Sequence, residues 1–299
     1  MRRPCLEATD SRLEGLVASA EPRQIATGFV FTEGPVWDRH RQWLTFNDIP
    51  ADRMLRWDAQ NGVSEVRGPN NMGNGMTDAP DGGLLVCEHA TSRLVHVDAQ
   101  RTTVLAERFG GRELNSPNDV IVSSAGVIVF TDPYYGRTGF VGVPRQPELD
   151  FTGVYALRLN AGQPPAAPTL LTAEMRSPNG LCLSPDERFL YVADTEQFEI
   201  RRYRFHGDRL SDGSVWAQTL GDEPDGPDGL RVDELGNVYC AGPGGIHVFA
   251  TSGEPLGRIR LPEVVANLTW GGPDGHTLFV CASTSVYALT TTVTSGRRR

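Results

Sequence analysis

The chain has 299 residues with 37 acidic and 28 basic side chains, a formal charge of −9, and 39% hydrophobic against 22% charged residues. That balance suits a soluble globular protein with ample core material, and the negative charge, with no long basic stretch before the three C-terminal arginines, excludes nucleic acid as a partner. All 28 basic residues are arginine, so a Schiff-base lysine, a pyridoxal phosphate anchor and a P-loop lysine are excluded too.

Residues 1–21 alternate charged and small side chains and carry no apolar segment of the length an export signal needs; they read as an N-terminal extension. No run of about 18 apolar residues follows, so no membrane span or membrane partner is expected, and the expected location is cytoplasmic. Cys5, Cys87, Cys182, Cys240 and Cys281 never approach C-x-x-C spacing, and the last four lie in apolar strand-like runs, as small buried hydrophobes would.

From Glu33 onward one pattern recurs six times: an acidic or amide residue, usually before glycine, alternating apolar positions, a Gly/Asp/Pro turn and a second apolar run. The copies read EGPVWDRHRQWLTFND, NGMTDAPDGGLLVCEH, NDVIVSSAGVIVFTD, NGLCLSPDERFLYVAD, DGLRVDELGNVYCAG and NLTWGGPDGHTLFVCA, and they begin at Glu33, Asn74, Asn118, Asn179, Asp228 and Asn267. Their spacings of 41, 44, 61, 49 and 39 residues are those of four-stranded blades, the long one holding an insertion over 133–151. A third and a fourth strand-like run follow each copy, as in RMLRWD and VSEVRG after the first, but the sixth lacks its fourth run. Residues 22–28, PRQIATG, are available to supply it and would close the ring by strand pairing. The sequence therefore predicts an all-β, six-bladed β-propeller over 22–290, followed by a polar tail over 291–299. Two β-sandwiches would also give regular short strands, but they do not repeat their turn sequences sixfold.

In such a fold the residues that open the six copies converge on one end of the central channel. They are Glu33, Asn74, Asn118, Asn179, Asp228 and Asn267: two carboxylates and four amides, without thiol or imidazole. Oxygen-only donors suit a hard divalent cation, and the two carboxylates would neutralise it. One Asn-Gly or Asp-Gly alone reads as a turn, as at Asp81, Asp225 and Asp274; the same chemistry at one position of every repeat reads as a site.

The motifs FTEGPVW, NGMTDAPDGGLLVCEH, NSPNDVIV, TDPYYG, SPNGLCLSPD, PDGLRVDELGNVY and ANLTWGG, in this order, make the chain resemble the gluconolactonase and senescence marker protein 30 family from about Gln24 to Leu289. The resemblance implies a metal held by Glu33, Asn118, Asn179 and Asp228. Pro117, where animal members have Arg, and the NSPND form are similar to the microbial branch, whose members open several aldonolactones and related esters. It also implies one divalent ion, Ca²⁺ ahead of Mg²⁺, Mn²⁺, Zn²⁺ or Fe²⁺, and a small sugar lactone as substrate. The metal would polarise the lactone carbonyl, with Asp228 or a metal-bound hydroxide driving water attack.

Asn74, His89 and Asn267 are expected to contact substrate, as are Tyr134 and Tyr135 of the insertion, which is positioned to cover the pocket. Asp48, Asp132 and Asp194, which end second strands, are expected near the site as supporting or substrate contacts. The absence of G-x-S-x-G and H-E-x-x-H argues against a serine esterase or a zinc protease. A phosphotriesterase or aryl-esterase activity, or a non-enzymatic binding platform, is the alternative.

Overall fold

Alternating apolar residues on both sides of a strand require a partner on both faces, and a ring of radially packed sheets provides it. The computed structural model describes residues 5–18, 21–159 and 166–296. In it the first five repeats each form an antiparallel sheet of four consecutive strands, and the sixth supplies three strands of its own. The innermost strands are Thr32–Asp38, Gly73–Asp78, Val120–Val122, Pro178–Leu183, Leu230–Val232 and Val265–Gly271.

Six apolar clusters hold the blades together, one at each interface. Val127 and Val129 pack towards blade four with Leu190 and Val192, whereas Ile128 and Phe130 of the same strand pack towards blade two with Leu85 and Cys87. The period of two thus divides each strand between two interfaces, so every blade depends on both neighbours. Cys87, Cys182, Cys240 and Cys281 all lie in these clusters as free, buried thiols.

Closure runs as the sequence predicts. Arg23–Thr27 pairs antiparallel with Ser285–Thr290 and so supplies the fourth, outer strand of the sixth sheet.

The segments on either side of the propeller are more integrated than an extension and a tail. Leu6–Ala8 adds a fifth strand outside blade five, pairing with Pro255–Arg260. A short helix, Ser11–Leu16, capped by the Asp10 carboxylate accepting from the Arg12 amide at 2.8 Å, follows it. It buries Leu13, Leu16 and Val17 in the cluster between blades five and six. Val17 bridges to Thr291 and Asp233 to Ser295, so the tail is fastened through 296. The rest of the expected extension and tail, residues 1–4, 19–20 and 297–299, lies outside the described residues. Among the described residues no helix is long and apolar enough to cross a membrane.

Candidate functional site

The six repeat-opening residues form a continuous ring at one end of the channel. Gly75 N donates to Asn118 O at 2.9 Å, Asn118 N to Thr131 O at 2.8 Å, and the Thr131 hydroxyl to Asn179 O at 2.8 Å, linking blades two, three and four. A Cβ on Gly34 would collide with the Asn74 carbonyl, on Gly180 with that of Asp228, and on Gly229 with the Asn267 side chain. The glycine after the ring residue is therefore needed for close approach of neighbouring blades. It is not a turn glycine: of Gly34, Gly75, Gly180 and Gly229 only Gly34 has a left-handed φ, 60°.

The ring amides differ in what their oxygens are left to do. Asn267 Nδ2 donates to Glu33 Oε2 at 3.0 Å and its Oδ1 accepts from Leu268 N at 2.9 Å. Its amide is thus committed to holding Glu33, whose Oε2 also accepts from Gly34 N, and does not face the opening as a substrate contact. Asn179 Nδ2 donates to Thr195 Oγ1 at 3.1 Å, which turns Oδ1 the other way, and Thr195 donates in turn to Pro227 O at 2.7 Å, beside Asp228. His89 Nδ1 lies 2.8 Å from Val141 O and can only donate to it, so in the neutral ring Nε2 accepts from Asn74 Nδ2 at 3.0 Å. Asn74 Oδ1 is left buried without a hydrogen-bond partner. Burial drives His89 down to about 4, which keeps it neutral and fixes this orientation.

Five of the six ring residues are buried, and Asp228 alone retains partial exposure. Burial, followed by the charge of Asp119, raises Glu33 to about 8, and burial followed by the charge of Glu33 pushes Asp228 well above the usual carboxylate range. Crowded, desolvated carboxylates are donors that a divalent cation fits, since it would relieve their repulsion. Glu33, Asn118, Asn179 and Asp228 are the residues that would hold it.

Two groups that sequence reasoning missed complete the electrostatics. Asp119 occupies the place of the repeat glycine in blade three, and its Oδ2 is buried without a hydrogen-bond partner. Arg231 Nη1 lies 3.6 Å from that oxygen and donates to Leu230 O at 2.6 Å, providing a positive charge below the ring. The signal available was the departure of Asn118-Asp119 from the Asn-Gly form; nothing local marked Arg231.

The insertion crosses from blade three over blade two to blade one. Arg137, buried, anchors it by donating to the carbonyls of Asn115 at 2.7 Å, Leu114 at 2.6 Å and Gln146 at 2.9 Å and to Glu113 Oε2 at 2.9 Å. Farther along, Val141 O meets His89 and Phe140 packs edge-on against Phe31, ring centroids 6.1 Å apart. Tyr135 points to the ring side: its hydroxyl accepts from Ser177 Oγ at 2.9 Å, and the Asp228 charge helps to raise it. The half-buried Tyr134 has Asp132, Asp150 and Arg137 as its charged neighbours.

Asp48, Asp132 and Asp194 also differ from a substrate-contact reading. All three are buried, and their carboxylates accept main-chain N–H groups of the loops that lead into ring residues. The opposite end of the channel opens into a cavity of about 580 Å³ lined by Val36, Met76, Leu181, Arg231 and Trp270, among others, and by none of the six ring residues. This cavity and the candidate chemistry are therefore at different ends; the polar convergence, not the volume, marks the site.

The model of the SMP-30/Gluconolactonase/LRE-like region matches residues 31–284. A gluconolactonase of Zymomonas mobilis is 32% identical, over 94% of this chain and 84% of that protein. A pentonolactonase of Haloferax volcanii is 29% identical, over 86% of this chain and 83% of its own length. The solved structure of a gluconolactonase from Xanthomonas campestris superposes with a TM-score of 0.86 at 29% identity, covering 95% of this chain and 94% of that one.

Proposed function

This chain belongs to the SMP-30/gluconolactonase/LRE-like family, and from that membership we propose that it hydrolyses a small sugar lactone at the ring of Glu33, Asn118, Asn179 and Asp228. The observation that carries the reading is the convergence of a buried and a partly exposed carboxylate, Glu33 and Asp228, with the amide of Asn179 at one channel mouth, in a chain whose relatives include a gluconolactonase and a pentonolactonase. A divalent cation bound there would supply Lewis-acid polarisation of the lactone carbonyl.

The chain's own residues would do the rest. Asp228, the most open ring residue, takes a proton from water as the water oxygen bonds to the carbonyl carbon. It returns that proton to the ring oxygen as the C–O bond breaks, and the product is the open-chain hydroxy acid. Glu33 stays fixed, held by Asn267 and the Gly34 amide. Asn74 Oδ1 faces substrate hydroxyls as an acceptor, oriented by His89. Tyr135 accepts from Ser177 and keeps its own proton to donate to a substrate oxygen. The insertion covers the mouth from the side of blades one to three.

Dialysis against a chelator is expected to abolish hydrolysis of glucono-1,5-lactone and pentonolactones, and added Ca²⁺ or Mn²⁺ to restore it. Full activity in the metal-free protein would refute the reading. A panel with aryl esters and phosphotriesters measured alongside tests the substrate class.

A further inference from the structure

Three blades share a device that the other three lack. In blades one, three and four the second strand, Trp43–Asp48, Val127–Asp132 or Phe189–Asp194, ends in a buried aspartate. Asp48 Oδ1 accepts from Val30 N at 3.0 Å and Phe31 N at 3.1 Å. Asp132 accepts from Asn115 N at 2.9 Å and Ser116 N at 2.7 Å, and Asp194 from Arg176 N at 2.8 Å and Ser177 N at 3.0 Å. The donors are in each case the residues three and two positions before a candidate ligand: Glu33, Asn118 and Asn179.

The ring residue of blade two, which is not a candidate ligand, is held differently: Asp52 of blade one accepts from Asn70 N at 3.0 Å and Met72 N at 2.6 Å. Blade two ends its second strand in Glu88, which takes the side chains of Arg67, Asn71 and Thr91, and the strands of blades five and six end in Gly242 and Ala282. All six still form antiparallel sheets, so the strand-end aspartate is not a requirement of the blade. In blade five, where Asp228 is the candidate ligand, the preceding residue is held instead by Thr195, next to Asp194.

From this placement, with two N–H groups held directly before Glu33, Asn118 and Asn179, we infer that Asp48, Asp132 and Asp194 are positioning residues of the cation site, each fixing the backbone from which one ligand projects; the inference rests on the cation reading above. A carboxylate accepts from two N–H groups at once. At Asp132 and Asp194 each oxygen takes one N–H, so an amide presents its NH₂ to one of them and releases an anchor; at Asp48, Oδ1 takes both and Oδ2 pairs with Arg53 at 3.0 Å, so the amide sets its NH₂ either against the guanidinium or against both N–H groups, and in each case the ligand behind it is loosened.

Calcium binding is measured by titration calorimetry on the full chain, with CaCl₂ as the probe, for wild type, Asp48→Asn, Asp132→Asn and Asp194→Asn, together with the melting temperature of each metal-free protein. Glu88→Gln, at the matching position of blade two, is the control. The expected result is about 10- to 100-fold weaker binding in each aspartate variant, unchanged binding in the control, and a smaller calcium-induced rise in melting temperature for the variants than for wild type. A variant that does not fold is replaced by its Asp→Glu counterpart, which keeps the charge but shifts the acceptors, and the same loss of affinity is expected. Variants that melt lower yet bind calcium as wild type does would overturn the inference alone. A wild-type protein that takes up neither Ca²⁺ nor Mn²⁺ would overturn the cation reading and this inference with it.

Discussion

Asn267 Nδ2 and Glu33 Oε2 lie 3.0 Å apart although 234 residues separate them in the chain. The bond spans the seam where the last blade meets the first. It couples closure of the ring to the orientation of a carboxylate that the site needs, so the propeller must be shut before Glu33 is set.

Asn267→Ala is therefore expected to weaken cation binding by about tenfold, as loss of a supporting hydrogen bond does. The accompanying loss of stability should be about 1–3 kcal/mol, because the buried Glu33 carboxylate then keeps the Gly34 amide but loses the Asn267 donor. Calorimetric titration and urea unfolding separate the two effects. Undiminished affinity would remove the role given to Asn267.

Glycines of the ring should not tolerate a methyl group. Gly180→Ala and Gly229→Ala bring Cβ against the neighbouring blade, at an expected cost of about 1–3 kcal/mol each from overpacking. Gly15, in the short helix with open space around it, is the contrast: Gly15→Ala is expected to stabilise by up to about 1 kcal/mol. Denaturant midpoints for the three variants check both signs.

Stability should fall in acid through His89. Its folded value of about 4 lies below the ordinary 6.5, so the unfolded chain takes up a proton first as pH drops. The contribution is complete above 6.5 and is lost as pH falls from there towards 4, by about 3 kcal/mol in total. Comparing urea unfolding at pH 7 and pH 4.5 for wild type and His89→Gln tests this; an equal acid loss in the variant would exclude His89 as its source.

The N-terminal helix belongs to the folded unit. Leu13 is fully buried between blades five and six, and Leu13→Ala is expected to cost about 2–5 kcal/mol. A thermal midpoint within 1 °C of wild type, on the order of the error of such a comparison, would contradict this.

Much of the molecule was legible in the chain because a repeat writes one local rule many times. The six copies, the closing strand at 22–28, the buried cysteines and the ring from Glu33 to Asn267 all follow from periodicity and from residue type at one recurring position. The helix at Ser11–Leu16 was not read, being six residues long and held by packing against blades that come more than 200 residues later. Tyr134 and Tyr135 are adjacent and chemically alike, and only the folded turn that carries them shows that it is Tyr135 whose hydroxyl meets Ser177.

By itself the sequence determined which residue types open each blade, how many blades there are and where the ring closes, since these depend on local alternation and strand pairing. The tertiary structure alone decided which amide oxygens remain available, that Asn267 serves Glu33, that Arg231 stands beside Asp119, and that three aspartates hold loops instead of facing the mouth. Those relations join side chains and backbone across blades or strands, and the direction of a hydrogen bond is fixed only once both partners have been brought together.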